Sequence, residues 1–561
     1  MQNIAYSASE KSMKRTGTRF RPRLAQANYD AIIIGSGIGG LTAAALLARL
    51  GKRVCVLEQH YTAGGYTHAY ENQGYEWDVG VHYIGEVHKP WSVLRRVFDV
   101  ISDNQLQWEP MDDHFDRIIL GDLTFDYVAG REQLAAALKQ QFPAEATAID
   151  SYIQLLADVS ARVPKFFAAQ AMPRRLGMLY SKLRRRLLPD YFFKTTREVL
   201  EGLTGNQQLI GVLTGQWGDY GLPPAQSAFV MHAMVAKHYL AGGSYPVGGA
   251  AQMAATIIPV IEAAGGNVFT YAGVREILIE NGRAVGVRLH KDDVELRAPQ
   301  IVSSAGLIPT YTRLIPRQIA EARGLLAPLQ KVELSAASLC LYAGFKGTAA
   351  ELGLPKTNYW VYPGADHDSN NIRFQTGATE QMPMIYISFP SAKDPSWDSR
   401  YPGKATVEIV APTLPSLFAQ WKGSTWGKRG AEYDALKAKL TAELLETLYR
   451  FHPQLRDALD FCELGTPLST EWFQWNEQGE IYGIDHTVER FDQHWIHSQT
   501  PIKGLYLTGA DTLTAGVGGA LMGGVMTATC MLGWQGYKVG KLLKNWNPQS
   551  AGNPAGNSAT A

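Results

Sequence analysis

The segment Ala31–Glu58, AIIIGSGIGGLTAAALLARLGKRVCVLE, constrains this chain more than any other. Ala31 and three isoleucines lead into a glycine turn, an alanine- and leucine-rich helical run follows, and RVCVLE returns as a second strand. Gly35, Gly37 and Gly40 occupy the G-x-G-x-x-G positions. The first allows the tight turn, the second lets the backbone approach a pyrophosphate, and the third admits close helix–strand packing. The amides of Ser36, Ile38 and Gly39 open a helix whose positive end faces phosphate oxygens. Glu58, followed by Gln59, closes the second strand about 20 residues after the turn, where a carboxylate accepts the hydroxyls of an adenosine ribose. Strand, turn, helix and acid fall in order, and they predict a Rossmann-type dinucleotide site in an α/β fold.

Later segments favour FAD over NAD. Gly64 and Gly65 form a second glycine pair shortly after Glu58, suited to the flavin side of the cofactor. Near the other end, GLYLTGADTLTAGVGGALMGG reads as a strand over Leu505–Thr508, a glycine turn and a helix. Gly509 and Asp511 follow that strand, with Asp511 set to accept ribityl hydroxyls, and Val517, Gly518, Gly519 and Ala520 open the helix towards the isoalloxazine. Between these ends, NVFTYAGVREILIENGRAVGVRL gives strands split by an Asn281-Gly282 hairpin turn. There Val274 offers its backbone to the adenine, and QIVSSAG returns a strand ending at Ala305. The expected architecture is a discontinuous Rossmann-type FAD-binding domain (29–110, 245–310 and 498–540) with an interleaved mixed-sheet and helical substrate domain (111–244 and 311–497). No attachment signature for the flavin is present, so FAD is expected to bind non-covalently. No second G-x-G-x-x-G is flanked by a strand and an acid, so electrons must come by a shared access route or a separate partner. The residues name neither that donor nor an oligomeric state.

The overall net charge of +1 provides no field for nucleic acid. It conceals a basic stretch, Arg162–Arg197, with ten Lys and Arg against one acid, Asp190, which leaves the remainder net acidic. Within 165–193, Phe166, Phe167, Leu176, Leu179, Leu183, Leu187, Leu188, Phe192 and Phe193 alternate with the cations, a composition suited to an anionic membrane surface. No run approaches the roughly 18 apolar residues that a spanning helix needs, and no apolar block marks a secretory signal. The expected location is therefore the cytoplasmic side of a membrane, held peripherally. Residues 1–28 and 541–561 read as disordered tails, the first basic. Cys55, Cys340, Cys462 and Cys530 have no zinc or dithiol spacing, and Cys55 reads as an inert thiol in a buried strand.

From about Asp30 to Leu532 the chain resembles the all-trans-retinol 13,14-reductases (retinol saturases), within the carotenoid desaturase and isomerase group of flavoproteins. The marks are GVHYIG (Gly80–Gly85), GDYGLPPAQSAFVMHA (Gly218–Ala233), GGSYPVGG (Gly242–Gly249), TNYWVYPGADHD (Thr357–Asp368) and FPSAKDPSWDSRYPG (Phe389–Gly403), with GKRG (Gly427–Gly430), TPLST (Thr466–Thr470) and GIDH (Gly483–His486). The chain departs at Val247, where the family usually has Arg, and at Gly509-Ala510-Asp511, where GQD is common. The resemblance implies saturation of one carbon–carbon double bond in a lipophilic polyene, a retinoid or carotenoid, with hydride from flavin and a proton from the protein. It sets Val81, His82 and Tyr83 against the isoalloxazine and makes His82 and Tyr83 the first candidates for proton delivery. Glu471 and His486 rank behind them as structural residues. The alternatives are a carotenoid cis–trans isomerase or desaturase, and a non-catalytic polyene-binding flavoprotein.

Overall fold

The computed structural model describes residues 15–26 and 28–547. Its first sheet is wholly parallel and has six strands, in the order Thr18–Arg19, Asn267–Thr270, Val54–Leu57, Ala31–Ile34, Ile301–Ser303 and Leu505–Leu507. Residues nearly 500 positions apart in sequence thus share one sheet. The register sets Ile32 beside Cys55 on one side and Ile301 on the other. Parallel strands buried on both faces read as unbroken apolar runs, and every residue of Ala31–Ile34 and Val54–Leu57 is buried. The helix Ile38–Arg49 is likewise buried up to Ala48, because it lies between this sheet and the helices Gln252–Ala263 and Gly516–Met531. The hairpin between Val274–Glu280 and Arg283–Leu289 turns through Asn281 (φ 49°) and Gly282 (φ 74°), the left-handed pair of a type I′ turn.

A mixed seven-stranded sheet forms the second body, ordered Leu459–Gly465, Ala337–Lys346, Lys404–Thr413, Ile385–Ser388, Asn358–Tyr362, His114–Leu120 and Leu123–Val128. Successive side chains of a strand point to opposite faces. In Ala337–Lys346, Leu339, Leu341, Ala343 and Phe345 join the core against the helix Ala431–Phe451, while Ser338, Cys340 and Tyr342 face a cavity on the other side.

Two expectations at the chain ends need correction. Thr18–Arg19 form the edge strand of the parallel sheet and Phe20 is fully buried against Phe269, so the ordered fold begins within the expected tail. The helix Tyr537–Asn545 likewise extends past 541, with Val539 in the core. The expected tails at 1–14 and 548–561 lie outside the described residues. All four cysteines are free, and burial pushes the Cys55 thiol up to about 12.

Candidate functional site: a glycine cradle joined to an aromatic chamber

One cavity of about 1830 Å³ runs from the glycine turns of the parallel sheet to the inner face of the mixed sheet. Pockets for drug-sized ligands span about 300–1,000 Å³, so there is room for two bodies. At the first end, Gly35, Gly37, Ile38, Gly39, Glu58, Gln59, Gly64, Gly65, Val274, Ala305, Gly509, Asp511, Val517, Gly518, Gly519 and Ala520 line the wall. Ser36 and Gly40 do not reach it.

The glycines separate into two kinds. A Cβ on Gly39 would lie 2.7 Å from Gly509 Cα, one on Gly65 would lie 2.9 Å from Gly37 Cα, and one on Gly40 would lie 2.5 Å from Gly35 O. Protein backbone demands these three. A Cβ on Gly37 would meet only Ser304 Oγ, at 3.9 Å, and would otherwise project into the cavity. The protein itself places no demand for glycine at Gly37, whereas a pyrophosphate against the helix N-terminus would.

Ser36 acts from behind. Its amide and Oγ donate to Glu58 Oε2 at 2.9 and 2.6 Å, and its Oγ accepts from Gly64 N at 3.0 Å. Glu58 Oε1 accepts from His60 N at 2.8 Å, which fixes the carboxylate at the cavity edge. Asp511 Oδ2 accepts from Leu307 N at 2.6 Å and Oδ1 from Ile484 N at 3.0 Å. A carboxylate offers about four acceptor sites, so Asp511 can tie these loops together and still receive hydroxyls. The donor set and the cradle fit a dinucleotide.

At the other end the chamber is aromatic. Tyr83 stacks on Tyr239 with ring centroids 4.3 Å apart, Tyr386 lies 6.4 Å from Tyr83, and Trp360 is 4.4 Å from Tyr386. Trp217, Met231, Met384 and Tyr482 complete apolar walls suited to a flat, elongated ligand.

Behind Val81, His82 and Tyr83, all at the cavity wall, lies a buried polar network that the residues alone did not announce. His82 Nδ1 is 2.7 Å from Glu408 Oε2, and Glu408 Oε1 accepts from Asp78 N at 2.6 Å. Tyr245 donates to Asp78. Tyr83 Oη donates to Asp116 Oδ2 at 2.8 Å and lies 3.3 Å from Asp219 Oδ2. Asp116 also accepts from Gln216 at 2.7 Å and from Asn358 at 2.9 Å. Lys393 Nζ donates to Asn358 Oδ1, to Ser388 Oγ at 2.7 Å and to His82 O at 3.1 Å.

Burial dominates the electrostatics. It pushes Asp78 and Glu408 up to about 8 and Asp116 up to about 6. It draws Lys393 down to about 7 and His82 down to about 4, so His82 is a neutral imidazole at neutral pH. Four of the motifs quoted above meet here: GVHYIG brings Tyr83, GDYG brings Asp219, TNYW brings Asn358 and FPSAKD brings Lys393. Those motifs were the available signal, although nothing in them gave the pairing. His486 is fully buried and its Nε2 accepts from Ala515 N at 2.7 Å, a structural tie. Glu471 lies off the cavity wall, 3.6 Å from Lys422.

The basic stretch divides. Phe166, Phe167, Leu188 and Phe192 are core residues, which corrects the expectation that they face a membrane. Arg184 is buried too: it donates to Phe166 O at 3.3 Å and to Phe491 O, and lies 4.0 Å over the Phe166 ring. On the helix Arg174–Leu187, however, Leu176 (57% exposed), Leu179 (56%), Leu183 (43%) and Leu187 (59%) form one outward stripe at three- and four-residue spacing. Arg175, Lys182, Arg185 and Arg186 are exposed beside it. Among the described residues no helix is long and apolar enough to cross a membrane.

Residues 33–99 match the family described as NAD(P)-binding Rossmann-like domain. The chain is 36% identical over 544 residues to all-trans-retinol 13,14-reductase of Danio rerio, covering 93% of this chain and 89% of that protein. It is 27% identical to the chloroplastic prolycopene isomerase of Arabidopsis thaliana, covering 89% and 79%. Among solved structures, a putrescine oxidase bound to putrescine superposes with a TM-score of 0.59 at 16% identity, covering 90% of this chain and 99% of that one, a likeness of fold.

Proposed function

The chain belongs to the all-trans-retinol 13,14-reductase family, a family of oxidoreductases, and on that premise we propose that it uses FAD to saturate one carbon–carbon double bond of a lipophilic polyene, a retinoid or carotenoid. The observation that carries this reading is the single cavity in which a dinucleotide cradle opens directly into an aromatic, largely apolar chamber. Glu58 would hold the adenosine ribose, Val274 the adenine, the amides at Gly35–Gly39 the pyrophosphate, Asp511 the ribityl chain, and Gly64, Gly65, Ala305 and Val517–Ala520 the flavin ring system, without a covalent link. The chemistry such a cofactor supplies is hydride transfer. The protein's part is to lay the polyene flat between aromatic faces, exclude water and deliver one proton, with His82 and Tyr83 at the chamber wall.

The decisive experiment incubates dithionite-reduced holoenzyme with all-trans-retinol and with carotenoids and weighs the products. A gain of two hydrogens supports the reading. Unchanged mass with altered geometry supports cis–trans isomerisation instead, the second reading, which the likeness to a prolycopene isomerase favours. Loss of two hydrogens on the oxidised enzyme marks a desaturase, and protein purified without flavin marks a non-catalytic binder.

We also propose peripheral attachment to the anionic cytoplasmic face of a membrane through the leucine stripe and the cations beside it. Val163 and Pro164, at the end of the preceding helix Ala146–Phe166, and Phe167 line the cavity, and a polyene entering beside them would pass from lipid to chamber without crossing water.

A further inference from the structure

Tyr83 Oη faces two carboxylates, and their surroundings differ. Asp116 is fully buried and receives hydrogen bonds from Gln216 at 2.7 Å, Asn358 at 2.9 Å and Tyr83 at 2.8 Å, with Lys393 bonded to the far end of Asn358. Donors to a carboxylate favour its ionised form. Asp219 sits at the cavity wall, and its side-chain oxygen lies 3.3 Å from Tyr83 Oη. One phenolic hydrogen cannot serve two carboxylates, and like charges on one hydroxyl cannot both persist in an apolar chamber, so one proton is shared between them. The donors around Asp116 assign that proton to Asp219.

We propose that Asp219 stores the proton that the polyene carbon receives and releases it through the phenol of Tyr83. This rests on the polyene-reductase reading above. In the step, the O–H bond of Tyr83 breaks as a C–H bond forms at the carbon next to the one that takes the hydride. At the same time the O–H bond of Asp219 breaks and a new O–H bond forms at Tyr83. Tyr83 ends as it began, and Asp219 ends as a carboxylate that regains its proton from water before the next turnover. The hydroxyl hydrogen of Tyr83 is free to rotate between these partners. Tyr83 thereby acts as the catalytic residue, and Asp219 and Asp116 position and charge it.

Electrostatics support the assignment. Burial and then the Asp116 charge hold Asp219 well above the usual carboxylate range. The other groups facing it, Tyr220, Tyr239, Tyr362, Tyr386 and Tyr482, are buried phenols that remain neutral. The neutral imidazole of His82 is a poorer proton source at neutral pH.

The test is single-turnover reduction of all-trans-retinol by reduced holoenzyme across pH, for wild type, Asp219→Asn, Asp219→Glu, Tyr83→Phe and the double variant. Flavin content is measured for each. The wild-type rate should fall as pH rises through the raised titration of Asp219. Asp219→Asn and Tyr83→Phe should each lose about a hundredfold, the usual contribution of a general acid, and both should lose that pH limb. Asp219→Glu should recover part of the rate, and the double variant should be no slower than either single one. A full rate and an intact pH limb in Asp219→Asn overturn the relay, as do losses that multiply in the double variant. If Asp219→Asn does not retain flavin, an intact pH limb in Tyr83→Phe overturns it equally. If wild type saturates no polyene at all, the underlying reading fails and the relay falls with it.

Discussion

Gly39 and Gly509 meet backbone to backbone across 470 residues of sequence, so closely that a Cβ on Gly39 would lie 2.7 Å from Gly509 Cα. The turns that follow Ala31–Ile34 and Leu505–Leu507 are locked together at this point. Gly39→Ala forces the helix Ile38–Arg49 away from the final turn, and overpacking of this kind costs about 1–3 kcal/mol. The melting temperature of the flavin-free protein should fall, and flavin content with it.

Gly37 gives the opposite result. Its side-chain position is open to the cavity, with Ser304 Oγ at 3.9 Å as its nearest neighbour. Gly37→Val should leave the melting temperature of the flavin-free protein unchanged while abolishing the absorbance of bound flavin. A normal flavin spectrum in this variant would remove the turn from the cofactor site.

Buried carboxyls make stability depend on pH. Burial raises Glu408 and Asp78 from 4.5 and 3.8 to about 8, so between those limits the folded state holds protons that the unfolded state has released. Stability from these groups is present below the unfolded values and is lost as pH rises towards 8. Lys393, drawn down from 10.5 to about 7, acts oppositely, but only above that value. The contribution of Glu408 should therefore show as a difference: between pH 5 and 7 the melting temperature of wild type relative to Glu408→Gln should fall as pH rises. The amide can still accept from Asp78 N and donate to His82 Nδ1.

The cations of the basic stretch should separate by experiment. Exchanging Arg175, Lys182 and Arg186 for Glu should release the protein from anionic vesicles in a flotation assay, with the melting temperature unchanged, because all three are exposed. Arg184→Ala should instead destabilise the fold by about 2–3 kcal/mol, since it removes charged donors from one buried and one partly buried carbonyl. If wild type and the triple variant both stay in the soluble fraction, the leucine stripe and its cations are an ordinary surface.

What could be seen in the sequence follows from how local each signal is. The turn from Gly35 to Gly40 and the acid at Glu58 are fixed by short-range backbone geometry, and both stand where the pattern predicts. The edge strand Thr18–Arg19 escaped because two residues hold no periodicity. Arg184 reads like its neighbours Arg185 and Arg186, and only the packing of Phe166 and Phe491 beneath it tells them apart. Within GDYG nothing sets Asp219 apart, because its neighbours Tyr83 and Asp116 come from other elements more than a hundred residues away.

The alternation in Ala337–Lys346 has a consequence for how such a protein can change. Leu339 and Leu341 hold the core, while Ser338, Cys340 and Tyr342 line the cavity, one register apart on the same strand. Val410 and Pro412 on Lys404–Thr413 repeat the arrangement beside Ile409 and Ala411. Ligand preference and foldability are thus written in interleaved letters of one text. A lineage can rewrite every second position to accommodate a longer, shorter or more bent chain of double bonds, and leave the intervening letters to keep the barrier to unfolding where it was.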